Sequence, residues 1–578
     1  MPRIIPGLIA AALVAVAACS TPQPQELAVQ PPPQSVAPSS MEKDERIDEA
    51  RAQLHELKAQ STPMAAGAAA YARGKMAPAM AALQANCCVA PQPIAEDRET
   101  YGRIEGNPVR LAAEHPVSTF SIDVDTGSYS NVRRLLKEGR LPPSDAVRVE
   151  EMVNYFDYAY APPTDTSTPF AVATEIAPAP WNAKAQLLRI GIQGWKPQGP
   201  RVASNLVFLV DVSGSMEEPN KLPLVKSALK LLASDLTHAD RISLVVYAGN
   251  TGVVLEPTPG DQEAVIDAAL DRLEAGGSTN GGAGIELAYA MAHQAWIEGG
   301  NNRVLLATDG DFNVGTVSFD RLLDMVKDRR KSGIALTTLG FGEGNYNDRL
   351  MEQLADAGNG NYAYIDSINE ARKVLVEQRD ATLRTIARDV KIQIEFNPAL
   401  VSEYRLIGYE NRMLKREDFN KDQVDAGEIG AGHTVTALYE VTLAGSGGGH
   451  VDPLHFGHRL PAAQEKSDEL AWLRLRYKRP EDGINAASRL IERPVRAAEI
   501  EPMERASQPF RLAAAVAAFG QLLRGGSYTG GFHYTDVEHL AREARGDDRH
   551  GYADEFLQLV GMAQKLSGQA QQVSVSED

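Results

Sequence analysis

Cysteine is scarce in this chain: three in 578 residues, at Cys19, Cys87 and Cys88. No spacing among them suits a metal, so a thiolate metal site is excluded. The adjacent pair could bond to each other only with strain, stay free, or join another chain. A basic excess is lacking too. The 58 Lys and Arg are outnumbered by 76 Asp and Glu, giving a formal net charge of -18, and no basic stripe stands out. Nucleic acid is therefore not an expected partner. Catalytic signatures are also missing. There is no GxSxG elbow, HExxH, GxxxxGK or CxxC, and the glycines around Ser278 lack the lysine of a phosphate loop. His115, His238 and His293 are scattered, so no enzyme is expected.

Composition is otherwise that of a soluble protein, with 43% hydrophobic and 23% charged residues. The length exceeds what one core serves, and two to four domains are expected. The N-terminus stands apart. One Arg precedes an apolar stretch from Ile4 to Ala18, which is too short for a comfortable membrane span and reads as a secretory signal over residues 1–18. It could be cut as an ordinary signal near Ala18. Val16-Ala17-Ala18-Cys19, however, resembles the bacterial lipobox. By that resemblance Cys19 is lipidated, becomes the first mature residue and tethers the chain to the membrane. Ser20 follows it rather than an Asp, which favours the periplasmic face of the outer membrane within the cell envelope.

Residues 19–100 read as a disordered, low-complexity tether. Pro, Gln and Ser dominate its start, a thin apolar stripe at Ile47, Leu54 and Leu57 marks a marginal helix, and an Ala-rich stretch follows. A flanking region over 101–202 combines helices and strands. Val117 to Val124 reads as a strand, and Ser128 or Ser130 can cap a helix through Val132, Leu135 and Leu136. Val147, Met152, Val153 and Phe156 line a second helix. Asp123, Asp125, Thr126 and Ser128 suggest either a metal loop or, more simply, a strand-to-helix turn.

Over 203–377 apolar runs alternate with amphipathic helices. That order implies a doubly wound, mainly parallel sheet covered on both faces. In such sheets ligands bind at the carboxyl ends of the strands. There the chain places NLVFLVDVSGSMEE, GGSTN and RVLLATDGD. Three separate strand-end loops thus deliver Asp211, Ser213, Ser215, Thr279 and Asp309 to one rim. All five are oxygen donors, with no His or Cys among them, which suits Mg²⁺, Mn²⁺ or Ca²⁺ rather than zinc or copper. Two carboxylates and three hydroxyls leave the coordination incomplete, to be filled by water or by a partner's carboxylate.

These three segments, in this order and on these elements, resemble the von Willebrand factor type A domain and its metal-ion-dependent adhesion site. The resemblance implies that Ser213, Ser215 and Thr279 hold the ion through their hydroxyls. Asp211 and Asp309 would act directly or through water, and an Asp or Glu of a partner would complete the octahedron. The segments PVSTFSIDVDTGSYSNVRR and AVRVEEMVNYFDY, with the part beyond Arg388, resemble the flanks of a bacterial lipoprotein group carrying a central type A domain.

Beyond it, residues 388–480 read as β-rich, with strands in VKIQIEFNP, YRLIGYENR, GHTVTALYEVTL and ELAWLRLRYKRP. Their likeness to the Phe170–Trp195 stretch implies one β-sandwich built from both sides, with the α/β domain inserted between its strands. Residues 481–578 read as helical, with Leu512, Val516, Phe519 and Leu523 on one side of a helix. The function implied is a membrane-tethered, divalent-metal-dependent protein-binding module of the envelope. Its partner would be an envelope protein offering an Asp or Glu. The alternative is a structural or envelope-assembly lipoprotein whose type A domain binds nothing through the metal.

Overall fold

The structure is a computed structural model. It describes residues 98–577 except 166, 198–200, 278–280, 311–318, 453–467 and 484–485, with side chains to residue 568. The signal, Cys19, Cys87, Cys88 and the helix expected in the tether lie outside the described residues, as do Thr279 and Asp311.

A six-stranded sheet forms the middle of the chain. Its order is Tyr362–Tyr364, Ala335–Gly340, Asn301–Thr308, Ser204–Asp211, Arg241–Tyr247 and Thr251–Pro259. All neighbours are parallel except the last pair, where Thr251–Pro259 runs antiparallel along an edge. The central strand, Ser204–Asp211, is buried along its whole length. Successive side chains point to opposite faces. Leu206, Phe208 and Val210 pack with Val225, Leu229 and Leu232 of the Leu222–Ala233 helix. Val207 and Leu209 pack with Ile285, Leu287 and Met291 of the Gly281–Gln294 helix. An unbroken apolar run is therefore what this strand requires, since helices cover both faces. The Thr251–Pro259 strand was not foreseen. It is mostly half-buried, and its two prolines lie on an edge, where an N–H can be spared.

The chain on either side of this unit builds two further sheets. One orders Arg110–Leu111, Val401–Ile407, Thr434–Leu443, Asn182–Gly194 and Phe170–Ala179. In the other, Thr385–Phe396 pairs with Val117–Ser121, Gly427–Gly430 and Glu469–Lys478. Strands before the α/β unit thus pair directly with strands after it, and the unit is an insertion in a sandwich. Ile190 and Ile192 meet Ile392, Ile394 and Leu473 of the facing sheet. Leu187, on the opposite face of the same strand, packs among C-terminal helix residues such as Phe510 and Val516. Burial on both faces explains why QLLRIGIQGW alternates only loosely.

Those helices span Gln508–Leu523, Tyr534–Glu543 and Tyr552–Glu577. The Gln508–Leu523 helix is buried on every side from Leu512 to Gln521, not along one stripe as expected. It lies between the sandwich and the other helices, and its run of alanines lets neighbours approach closely. Arg489–Arg496, in the span read as helical, is instead an edge strand paired with Glu469–Lys478. Its sequence, RLIERPVR, is too charged and half-exposed to reveal a strand.

The Asp123–Ser128 segment is the strand-to-helix turn expected between Val117–Ser121 and Gly127–Lys137, but its carboxylates do more than turn the chain. Asp123 Oδ1 does accept the Asp125 N–H at 3.0 Å, as a turn would. But Asp125 also accepts the Tyr362 N–H at 2.8 Å, and Arg412 reaches both Asp123 and Asp125 at 3.4 and 3.3 Å. These carboxylates tie the N-terminal flank to the C-terminal flank through Arg412 and, through Asp125, to Tyr362 of the inserted unit rather than hold a metal. The helix starts at Gly127, where an added Cβ would lie 2.3 Å from the Tyr362 ring. Ser128 sits inside this helix, its N–H on Glu151 and its hydroxyl on the Ala146 carbonyl, so it is no cap.

Candidate metal centre at the strand ends

Asp211 is the last residue of the central strand and is wholly buried. Both of its oxygens are engaged. Oδ1 accepts the Ser213 N–H at 2.9 Å, and Oδ2 accepts the Thr308 hydroxyl at 2.9 Å. The first bond is a local turn in which the carboxylate folds the chain back at the strand end. It brings the Ser213 and Ser215 hydroxyls to 3.1 Å from each other. Thr308 ends the adjacent parallel strand, and Asp309 follows it, also wholly buried. The parallel register thus sets two carboxylates from residues 98 apart in sequence on one rim.

The third loop is tied to the first by backbone bonds. Gly276 N–H donates to the Val212 carbonyl at 2.7 Å, and Gly214 N–H to the Gly277 carbonyl at 3.1 Å. Thr279 follows Gly277 by two residues but is not itself described. Of the five expected ligands, Asp211, Ser213, Ser215 and Asp309 are placed at this rim.

Electrostatics follow from burial. Desolvation pushes the Asp211 carboxyl up to about 6, with the Asp309 carboxylate adding to the rise. The hydrogen bonds from Ser213 and Thr308 oppose it. The Tyr247 phenol beside it is likewise pushed up, by burial first and then by Asp211. Two buried carboxylates side by side are costly unless a cation relieves them.

Part of that relief comes from a residue the sequence reading missed. Lys221 Nζ lies 3.1 Å from Asp309 Oδ2 and 2.9 Å from Asn345 Oδ1. Asn345 Nδ2 donates to the same Asp309 oxygen at 3.0 Å. The Asn345 loop is held in turn by the first described residues. Arg98 and Thr100 N–H groups donate to Gly344 and Tyr346 carbonyls, both at 2.8 Å, and the Glu99 carboxylate accepts the Gly344 N–H at 3.0 Å. A lysine just ahead of an apolar helix reads as a solvated side chain, so nothing in the sequence signalled its burial.

The donor set fits a hard divalent ion: all oxygen, two carboxylates, and hydroxyls already turned towards each other. Among the described residues no group of three or more His, Cys, Asp or Glu side chains could hold a metal. The candidate set at the rim has only two carboxylates and would depend on hydroxyls.

Comparison with known proteins adds the lineage. Over 472 residues the chain is 48% identical to the Escherichia coli (strain K12) protein named "Uncharacterized protein YfbK", covering 80% of each chain. The chain belongs to the YfbK family. The family model described as "Uncharacterized protein YfbK, C-terminal" matches residues 381–566. The model for the von Willebrand factor type A domain matches residues 205–378, and one described as von Willebrand factor matches residues 95–189. The flanks of this YfbK-family chain thus match along with its centre. A cyanobacterial relative, "Uncharacterized protein sll0103" of Synechocystis sp., is 31% identical over 171 residues, or 30% of this chain and 40% of that one. A solved von Willebrand factor type A protein from Catenulispora acidiphila superposes with a TM-score of 0.39 at 16% identity, covering 68% of this chain and 89% of its own. The type A homology suggests that this YfbK-family protein is a protein-interaction module.

Proposed function

We propose that the chain is a divalent-metal-dependent protein-binding module, tethered through a lipidated Cys19 to the periplasmic face of the outer membrane. The observation that carries the metal part is the rim itself. Asp211 and Asp309, both wholly buried, stand beside a facing pair of serine hydroxyls at the carboxyl ends of two parallel strands. Asp211, Ser213, Ser215, Thr279 and Asp309 would hold the ion, Mg²⁺ by preference or else Mn²⁺ or Ca²⁺. Once bound, the ion supplies a Lewis-acid position for a carboxylate of an envelope protein. Burying that carboxylate is costly unless a cation offsets it. Partner capture should therefore fail in EDTA and fail again in Thr279→Ala. Crosslinking pull-downs from membranes, wild type beside Thr279→Ala, read by mass spectrometry, test this. A partner set identical in both and indifferent to Mg²⁺ would defeat the metal-dependent reading.

One observation favours a second, structural reading. The type A unit is joined to its flanks by buried ion pairs. Arg133 binds Asp366, Glu370 at 2.8 Å and Glu555 at 2.9 Å, so one guanidinium clamps the inserted unit, the N-terminal flank and the C-terminal helix. A scaffold that merely holds its neighbours together would need such clamps and no ion.

The tether carries its own prediction. Wild-type protein should take up a fatty-acid analogue and fractionate with the outer membrane, while Cys19→Ser should do neither. Equal labelling of the two would refute the anchor.

A further inference from the structure

The rim contains a cation of its own, and its placement is built rather than incidental. Lys221 is 4% exposed. Its main chain is fixed where the Leu222–Ala233 helix begins, its N–H on the Glu218 carbonyl and its own carbonyl on the Val225 N–H. Its aliphatic stem lies against Gly342. A Cβ there would come within 2.4 Å of Lys221 Cγ and Cε, and Gly342 has a φ of +78°, so glycine is required on both counts. The stem is thus channelled past the glycine, and the ammonium is delivered to Asp309 and Asn345. Asp309 Oδ2 receives both the ammonium and the Asn345 amide, so that oxygen is committed to this pair. Among the described residues, the other charged side chains near these loops face elsewhere. Glu217 and Glu218 are exposed to water, and Glu343 faces Arg134 at 3.5 Å.

We infer that Lys221 is a specificity-determining residue of the centre: a tethered ammonium that weakens the hold on the ion and makes the loaded centre selective for an anionic partner group. This rests on the metal-centre reading above. Among the described residues of the rim, two carboxylates and one ammonium leave one net negative charge. A divalent ion turns that into one net positive charge, which an anion from outside would neutralise. Without the ammonium, the two carboxylates alone would balance the ion, and a partner's carboxylate would gain far less. In a dry site such a charge matters much more than at the surface. Lys221 therefore exchanges intrinsic ion affinity for affinity toward a carboxylate. The class of partner that follows is an acidic side chain or chain terminus.

The test uses the full chain in detergent, with Mn²⁺ as the ion and acetate as the carboxylate. Mn²⁺ affinity is read by calorimetry. Water-proton relaxation of the bound Mn²⁺ reports displacement of its waters by acetate. Lys221→Met should bind Mn²⁺ about tenfold tighter and acetate about tenfold more weakly than wild type, as removal of one nearby positive charge implies. Lys221→Gln keeps a donor for Asp309 without the charge and should behave like Lys221→Met. It also carries the test if the methionine variant does not fold. Lys221→Arg keeps the charge and should resemble wild type. Weaker Mn²⁺ binding in the neutral variants, or unchanged acetate binding, overturns the inference and makes Lys221 a structural prop. Absence of Mn²⁺ binding by the wild type overturns the centre itself, a result distinct from either.

Discussion

Replacing Arg148 by methionine should destabilise the folded chain by about 3–5 kcal/mol, the cost of stripping a partner from buried charges. Arg148 is 1% exposed and among the largest fully buried side chains of the described residues. Its guanidinium binds Asp348 through two bonds of 2.5 and 2.9 Å, contacts Glu151, and lies 3.7 Å from Glu352. Asp348 also accepts the Tyr362 hydroxyl at 2.6 Å. Methionine matches the stem but strips Asp348 and Glu151 of their guanidinium, while Glu352 keeps Arg412 at 3.6 Å. Burial already raises the Glu151 carboxyl to about 8, with Arg148 opposing the rise. Without Arg148 the Glu151 carboxyl should rise further and take up a proton in the native state. A group raised on folding contributes stability below its native value and loses it as pH climbs through that value. The variant's deficit should therefore be larger at pH 8 than at pH 5. Urea unfolding at both pH values checks this. A loss under about 1 kcal/mol, or one independent of pH, would mean the pair is no clamp between flank and inserted unit.

Asp211→Ala should abolish divalent-ion binding within the range calorimetry can measure. The substitution removes one of two charged donors, and the loss should exceed the roughly 10–100-fold typical of losing a residue that merely orients a ligand. The Ser213 N–H and the Thr308 hydroxyl lose their acceptor, at about 1–3 kcal/mol, so the fold should survive. Equal Mg²⁺ and Mn²⁺ binding by wild type and variant would end the assignment. Asp311 is the control, two residues beyond Asp309, and its loss should matter less. The wild-type titration should also depend on pH. Asp211 gives up its proton near 6 in the ion-free protein, against an ordinary value of 3.8. An incoming ion must displace that proton, so affinity should fall roughly tenfold per pH unit below about 6. Across the same interval the ion-free protein should gain stability as pH falls, because the native state holds a proton that the unfolded chain has lost. A flat affinity between pH 5 and 8 would show that Asp211 is not a direct donor.

How much of this was legible beforehand depended on the range of the interactions involved. Leu206–Val210 and Val304–Ala307 are uninterrupted apolar runs, the first ended by Asp211 and the second by Thr308 and Asp309, as buried parallel strands call for. The turn at Ser213 follows from Asp211 and its neighbours alone. Hence the doubly wound sheet, its insertion in a sandwich, and the placement of four rim residues followed from local pattern and order, and the type A assignment from resemblance. Lys221, Asn345 and Thr308 did not, because each acts through a residue more than 35 positions away in the chain. The same is true of Asp123 and Asp125. Read locally they make a turn, and only their approach to Arg412 and Tyr362 makes them a joint between the two flanks and the insert. The sequence by itself determined which strands are buried and which oxygens stand at their ends, since those depend on side-chain periodicity over a few residues. Tertiary structure alone decided which charges meet, because a buried ion pair is set by the packing of distant elements and leaves no periodic trace in either segment.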